Sequence, residues 1–171
     1  MDSIYKDDQE KKLKKAKNID FTAKTKGLYL IEISARVKGE KQLGGTDDED
    51  LKIEIDKNKF TKPAVFSGGN QHNLKKTIFF VLPFDVGKHT ISLIPDISAT
   101  LLGLEVLIIQ EGSNLNLVLN NRAEDGDRRP WITIALVDVL LNSFTITLKL
   151  QRRFLDSDDV KIIIDGQIKR N

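Results

Sequence analysis

Apolar residues recur at every second position through much of this chain, and that period constrains the fold more than any other feature of the sequence. In GLYLIEISARV, Tyr29, Ile31, Ile33, Ala35 and Val37 fall on one side of an extended strand, with Glu32, Ser34 and Arg36 on the other. Leu51, Ile53 and Ile55 repeat the pattern against Lys52, Glu54 and Asp56. The longest clean alternation sets Phe144, Ile146, Leu148 and Leu150 against Thr145, Thr147, Lys149 and Gln151. TIFFVLPF (77–84) and HTISLIP (89–95), joined by the turn DVGK, are expected to form a hairpin. LEVLIIQE is apolar on both faces and is expected to be a central strand. No stretch after residue 20 keeps a helical period, so the expected class is all-β, an antiparallel β-sandwich.

One phrase is written twice. DEDLKIEID (48–56) and SDDVKIIID (157–165) both place acids before an aliphatic–Lys–Ile core that closes on Asp. The repetition predicts a doubled unit: a charged N-terminal tail at 1–18, frayed or weakly helical, a first sandwich unit at 19–111, and a shorter or truncated one at 112–171. Ile163 stands where Glu54 stood, so the outer face of the second copy is expected to be covered. Residues 57–76, with Pro63 and Gly68-Gly69, hold no period for long and predict a long loop with short strand pieces.

Composition narrows the partners. The net charge of +2 is too small for a nucleic-acid-binding face. No apolar run approaches the roughly 20 residues that a membrane span needs, and the start, MDSIYKDDQEKK, is unlike a signal peptide. The chain is therefore expected to be cytoplasmic, or at a cell surface if it is a piece of a larger bacterial protein. Having no cysteine, it has no disulfides, thiol catalysis or Cys-ligated zinc.

KGLYLIEISARVKGE, VGKHTISLIPD and DSDDVKIIIDG together resemble the jelly-roll β-sandwiches of carbohydrate-binding modules found in large surface or cell-wall-associated bacterial proteins. The resemblance covers roughly 20–111 and, more weakly, 112–171. It implies a jelly-roll scaffold and non-catalytic binding, with carbohydrate or cell-envelope glycan as the ligand. A structural domain that pairs with protein partners or with itself through strand edges is the alternative, and a glycoside hydrolase comes third.

Sugar recognition needs an aromatic face ringed by amides and carboxylates. Trp131, the single tryptophan, and the loop residues Phe66, Asn70, Gln71, His72 and Asn73 are the candidates. Trp131 is also placed to plug a core. No cofactor is implied, although the acids Asp156, Asp158 and Asp159 supply the oxygen ligands that calcium takes. Asp47, Asp48, Glu49 and Asp50 do the same, as does Asp125-Gly126-Asp127, and none has the spacing of a calcium-binding helix–loop–helix. His89, next to a turn in an alternating strand, needs no more than a surface role.

Overall fold

The structure, a computed structural model, describes residues 2–109 and 132–139, with short pieces at 143, 145, 152–153, 156–157, 162–164 and 167–169. The chain divides into two units, Met1–Val139 and Leu140–Asn171. In the first, the elements run β1 (Asp2–Asp7), β2 (Lys11–Leu13), β3 (Lys17–Ala23), β4 (Gly27–Arg36), the helical turn α1 (Glu40–Leu43), β5 (Asp50–Ile55), β6 (Asn58–Lys59) and β7 (Phe66–Ser67). They continue with the helical turn α2 (Gly68–Gln71), β8 (Lys76–Phe84), β9 (Gly87–Pro95), β10 (Ala99–Ile109) and β11 (Ile132–Leu136).

These strands form the sandwich expected from the alternation. One sheet has the order β1-β10-β4-β8-β11, with β2 also on β10; the other has the order β3-β9-β5-β6, with β7 also on β5. All pairs are antiparallel except β11, which runs parallel to β8. The core lies between the sheets. Tyr29, Ile31, Ile33, Ala35 and Val37 meet Leu51, Ile53 and Ile55 there, with Ile78, Phe80, Ile91 and Leu93. Each fully buried large side chain contributes roughly 1.5–3 kcal/mol over its exposed state. The expected outer side of β4 is also largely dry. Leu30, Phe79 and Val81 form a second buried cluster on that face, and Ser34 and Thr77, both buried, share a 2.8 Å hydroxyl–hydroxyl hydrogen bond.

Three expectations need correction. Residues 1–18 are not a tail: β1 and β2 pair with β10, Leu13 is buried, and Ile4 and Tyr5 pack on the core. An edge strand has one neighbour and one covered face, so a charged segment with few apolar groups can still serve. Next, β8 and β9 are not a hairpin, because β8 pairs with β4 and β11, and β9 with β3 and β5. Residues 85–86 carry the chain from one sheet to the other, and Gly87 takes φ 149 at the crossing. Finally, a boundary at 111/112 does not hold, since β11 belongs to the first sheet.

In the second unit, β12 (Arg152–Arg153) pairs with β13 (Asp156–Ser157), and β14 (Ile162–Ile164) with β15 (Gln167–Lys169), both antiparallel. Ile163 is 51% exposed. The alternation at 144–150 lies outside the described residues apart from Thr145.

Candidate functional site

At one end of the first sandwich, the loops 37–49, 60–75 and 96–98 converge, because β4, β9 and β6 end there while β5, β8 and β10 begin. Glu49 ties them together. Although buried, its carboxylate accepts from Lys38 N at 2.8 Å and from the Ser98 hydroxyl. Its backbone N–H donates to Lys38 O at 2.8 Å, and its carbonyl accepts from Gly68 N at 2.7 Å. That approach requires glycine at 68, where a Cβ would stand 2.0 Å from Lys38 O. His72 and Asn73 follow in the left-handed region, at φ 47 and 67. Asn73 N then donates to Val37 O at 2.7 Å, and the Gln42 side chain to His72 O at 2.6 Å.

Within this frame the residues proposed from sequence separate into two groups. Phe66 is fully buried in the core and has no free ring face. Gln71 is 4% exposed with its amide committed: Oε1 accepts from Ser67 N at 3.1 Å, and Nε2 donates to Ala35 O and Leu74 O at 3.3 and 3.1 Å. Asn70 and His72 are exposed and Asn73 is half-buried. Trp131, Asp158 and Asp159 lie outside the described residues, and Asp156 is described only as part of β13. Among the described residues, no three His, Asp or Glu side chains converge to hold a metal ion.

Two clefts open beside this loop end and share Lys62 and Val65. The larger, about 220 Å³, lies between β5 and the following loop and is lined by Asp50, Lys52, Phe60, Thr61 and Phe66 as well. Phe60 is its half-buried aromatic wall, with its ring 4.6 Å from that of Phe80. Sequence reasoning missed Phe60. The only signal was its position just after the short strand β6, where a strand ends and a ring can face a loop.

Asp50 gives this cleft its polar character. Burial pushes its carboxyl up from the ordinary range, and the charges of Asp48 and Asp96 add to the rise, while the Ser67 hydroxyl and Gly68 N–H oppose it. Its Oδ1 is buried with no hydrogen-bond partner among the described residues. A buried unpaired acceptor costs roughly 1–3 kcal/mol.

The smaller cleft, about 90 Å³, is lined by Lys62, Pro63, Ser67, Asn70, Gln71 and Lys76, with Val65. Lys76 is 4% exposed, and desolvation pulls its ammonium down to about 8. At the opposite end of the sandwich, His89 packs 4.4 Å from Phe84 and 5.5 Å from Phe21. It bonds Asp56 Oδ2 at 2.6 Å and Asp85 O at 2.8 Å, a structural role.

No family model matches the chain, and no curated protein matches it. Solved structures do. A family 35 carbohydrate-binding module from an environmental isolate is 14% identical at a TM-score of 0.37, over 56% of this chain and 66% of that one. One from Clostridium thermocellum is 14% identical at 0.37, over 55% and 70%. The C-terminal family 6 module of LamC from Zobellia galactanivorans is 14% identical at 0.32, over 61% and 91%. A likeness at this level assigns neither a ligand nor a residue role. Among the described residues, no helix is long and apolar enough to cross a membrane.

Proposed function

We propose that this chain is a non-catalytic module that binds carbohydrate in the cleft between β5 and Phe60. The observation that carries the reading is an aromatic wall set beside polar groups in one cleft. Phe60 offers a ring for sugar C–H groups, and the Asp50 carboxyl stands at the same cleft for the hydroxyls. Lys52 and Thr61 add a cation and a hydroxyl at the same wall. Glycoside hydrolysis ordinarily needs two carboxyl groups across the bond, and Asp50 is the one acid lining the two clefts among the described residues. That arrangement supports binding without catalysis. Pairing through strand edges is less favoured at β1 and β3, which carry Asp2, Lys6, Asp7, Lys17 and Asp20, charges that discourage edge pairing; β11, at the far edge of the first sheet, carries none.

The test is affinity electrophoresis and calorimetry of the full chain against a panel of cell-envelope and plant polysaccharides. At least one is expected to bind, and Phe60→Ala to weaken that binding about tenfold, equivalent to about 1.4 kcal/mol. Lys52→Ala, at an exposed position, is expected to weaken it without touching the core. A wild-type chain that binds no polysaccharide, or binding that survives both substitutions, would overturn the reading.

A further inference from the structure

We infer that the smaller cleft, over Lys76, is a separate binding site for a small oxyanion, a carboxylate or a sulfate ester. Lys76 begins β8 opposite Ala35, on the core side of its sheet, and is all but enclosed. Its Nζ donates to the carbonyls of Pro63 and Val65, both at 2.7 Å, and lies 5.8 Å from the centre of the Phe66 ring. Carbonyl dipoles and a ring face steady a cation without neutralising it. Among the described residues no carboxylate bonds this ammonium, whereas most buried charges are paired.

The surroundings fit an incoming anion. An ammonium has three N–H donors, and two are used, which leaves one for the cleft that Lys76 lines. Lys62 is the other charged group lining it among the described residues, so the charged wall is wholly cationic. Asn70, exposed at the same wall, has a side-chain amide with no hydrogen bond among the described residues. The 90 Å³ volume is several times the roughly 10–15 Å³ that one water needs, enough for an acidic substituent. A bound oxyanion would complete the third N–H in a charge-assisted hydrogen bond and remove the cost of the lone buried charge. The inference stands apart from the carbohydrate reading, because its occupant is an anion and small anions alone test it.

The experiment is thermal melting of the full chain in acetate, sulfate and chloride at matched ionic strength. Acetate or sulfate is expected to raise the Tm saturably over chloride near neutral pH. The rise should fade above about pH 8, where Lys76 gives up its proton. The anion giving the larger rise distinguishes a carboxylate from a sulfate ester. Lys62→Ala and Asn70→Ala, both at exposed positions, should raise the half-saturating concentration roughly three- to fivefold, the scale of an exposed charged contact. Lys76→Met should abolish the effect, and if that chain does not fold the two exposed variants decide. A rise that never saturates, as expected of salting-out alone, or one unchanged in Lys62→Ala and Asn70→Ala, would overturn the inference.

Discussion

Lys76 makes the stability of this protein depend on alkaline pH in an unusual direction. It titrates at about 8 in the folded chain against 10.5 when unperturbed. At 1.36 kcal/mol per pH unit, burial therefore disfavours the charged form by about 3 kcal/mol. Below the folded pKa both states hold the proton, and the folded state carries the full penalty. Between about 8 and 10.5 the unfolded chain binds more protons than the folded one, so stability rises with pH and the penalty is relieved. Working the two titrations through gives a gain of roughly 2 kcal/mol between about pH 7 and pH 9.5. The perturbation is Lys76→Met, which fills the same space without a titrating group. It also unpairs the Val65 carbonyl and leaves that of Pro63 with only the Thr133 hydroxyl at 3.5 Å, a cost that does not vary with pH. Urea unfolding in chloride at a series of pH values, for both chains, isolates the difference. The wild-type chain should gain about 2 kcal/mol on the Lys76→Met chain over that interval. Parallel pH curves would refute the argument, because they would mean that the ammonium remains solvated.

Three further outcomes follow from the same structure. Gly68→Ala drives a Cβ to 2.0 Å from the Lys38 carbonyl and 2.7 Å from that of Glu49, and backbone cannot yield as a flexible side chain does. It should cost about 1–3 kcal/mol or more in denaturant melts. Deleting residues 1–13 removes β1, β2 and the buried Leu13, and should lower the Tm by several degrees where loss of a frayed tail would change nothing. Burial opposes the charged form of His89, but the Asp56 carboxylate and the Asp85 carbonyl outweigh it, and its pKa is raised. The resulting stability is fully present below the unfolded pKa near 6.5 and is lost as pH rises through the folded value. His89→Gln should therefore cost on the order of 1 kcal/mol more at about pH 5.5 than at pH 8.5, measured by chemical denaturation.

Which face of a strand turns inward was legible wherever one face is packed. Tyr29 to Val37 and Leu51 to Ile55 lie as their alternation requires. Partner choice was not, since period two states only that a strand has two faces. The sequence of β8 and β9 is as compatible with a hairpin as with strands in opposite sheets, and only the two-sided burial of Phe79, Phe80 and Val81 separates the cases. At the loop end the reading inverted two phenylalanines. Phe66 falls beside Gly68-Gly69 and looks like loop, yet it pairs with Leu51 at the start of β5 and is buried. Phe60 sits among lysines and looks incidental, yet it walls a cleft. Lys76 follows another lysine and reads as surface. Its burial depends on the 63–65 backbone, more than ten residues upstream, folding across it.

The doubled phrase has a structural counterpart that lies one step beyond the acids. In the first copy Ile55 pairs with Asn58, leaving Asp56-Lys57 as a two-residue turn with both φ positive, at 48 and 67. That is the geometry of a tight hairpin whose twist matches its strands. In the second copy Ile164 pairs with Gln167, so two residues, Asp165-Gly166, again separate the paired ends. The outward positions agree too: Glu54 and Ile163 occupy the same place, opposite Lys59 and Ile168. What recurs is therefore a strand that ends in a two-residue hairpin. In the first copy the preceding acids do separate work: Glu49 ties the loops together, Asp48 accepts from Gly69 N, and Asp50 lines the cleft. Repetition of the hairpin thus carries no implication that the chemistry of those acids is repeated at 156–159. The two acidic segments have to be tested as different sites, the first by carbohydrate binding and the second by whether calcium raises the Tm and Asp158→Asn with Asp159→Asn removes the rise.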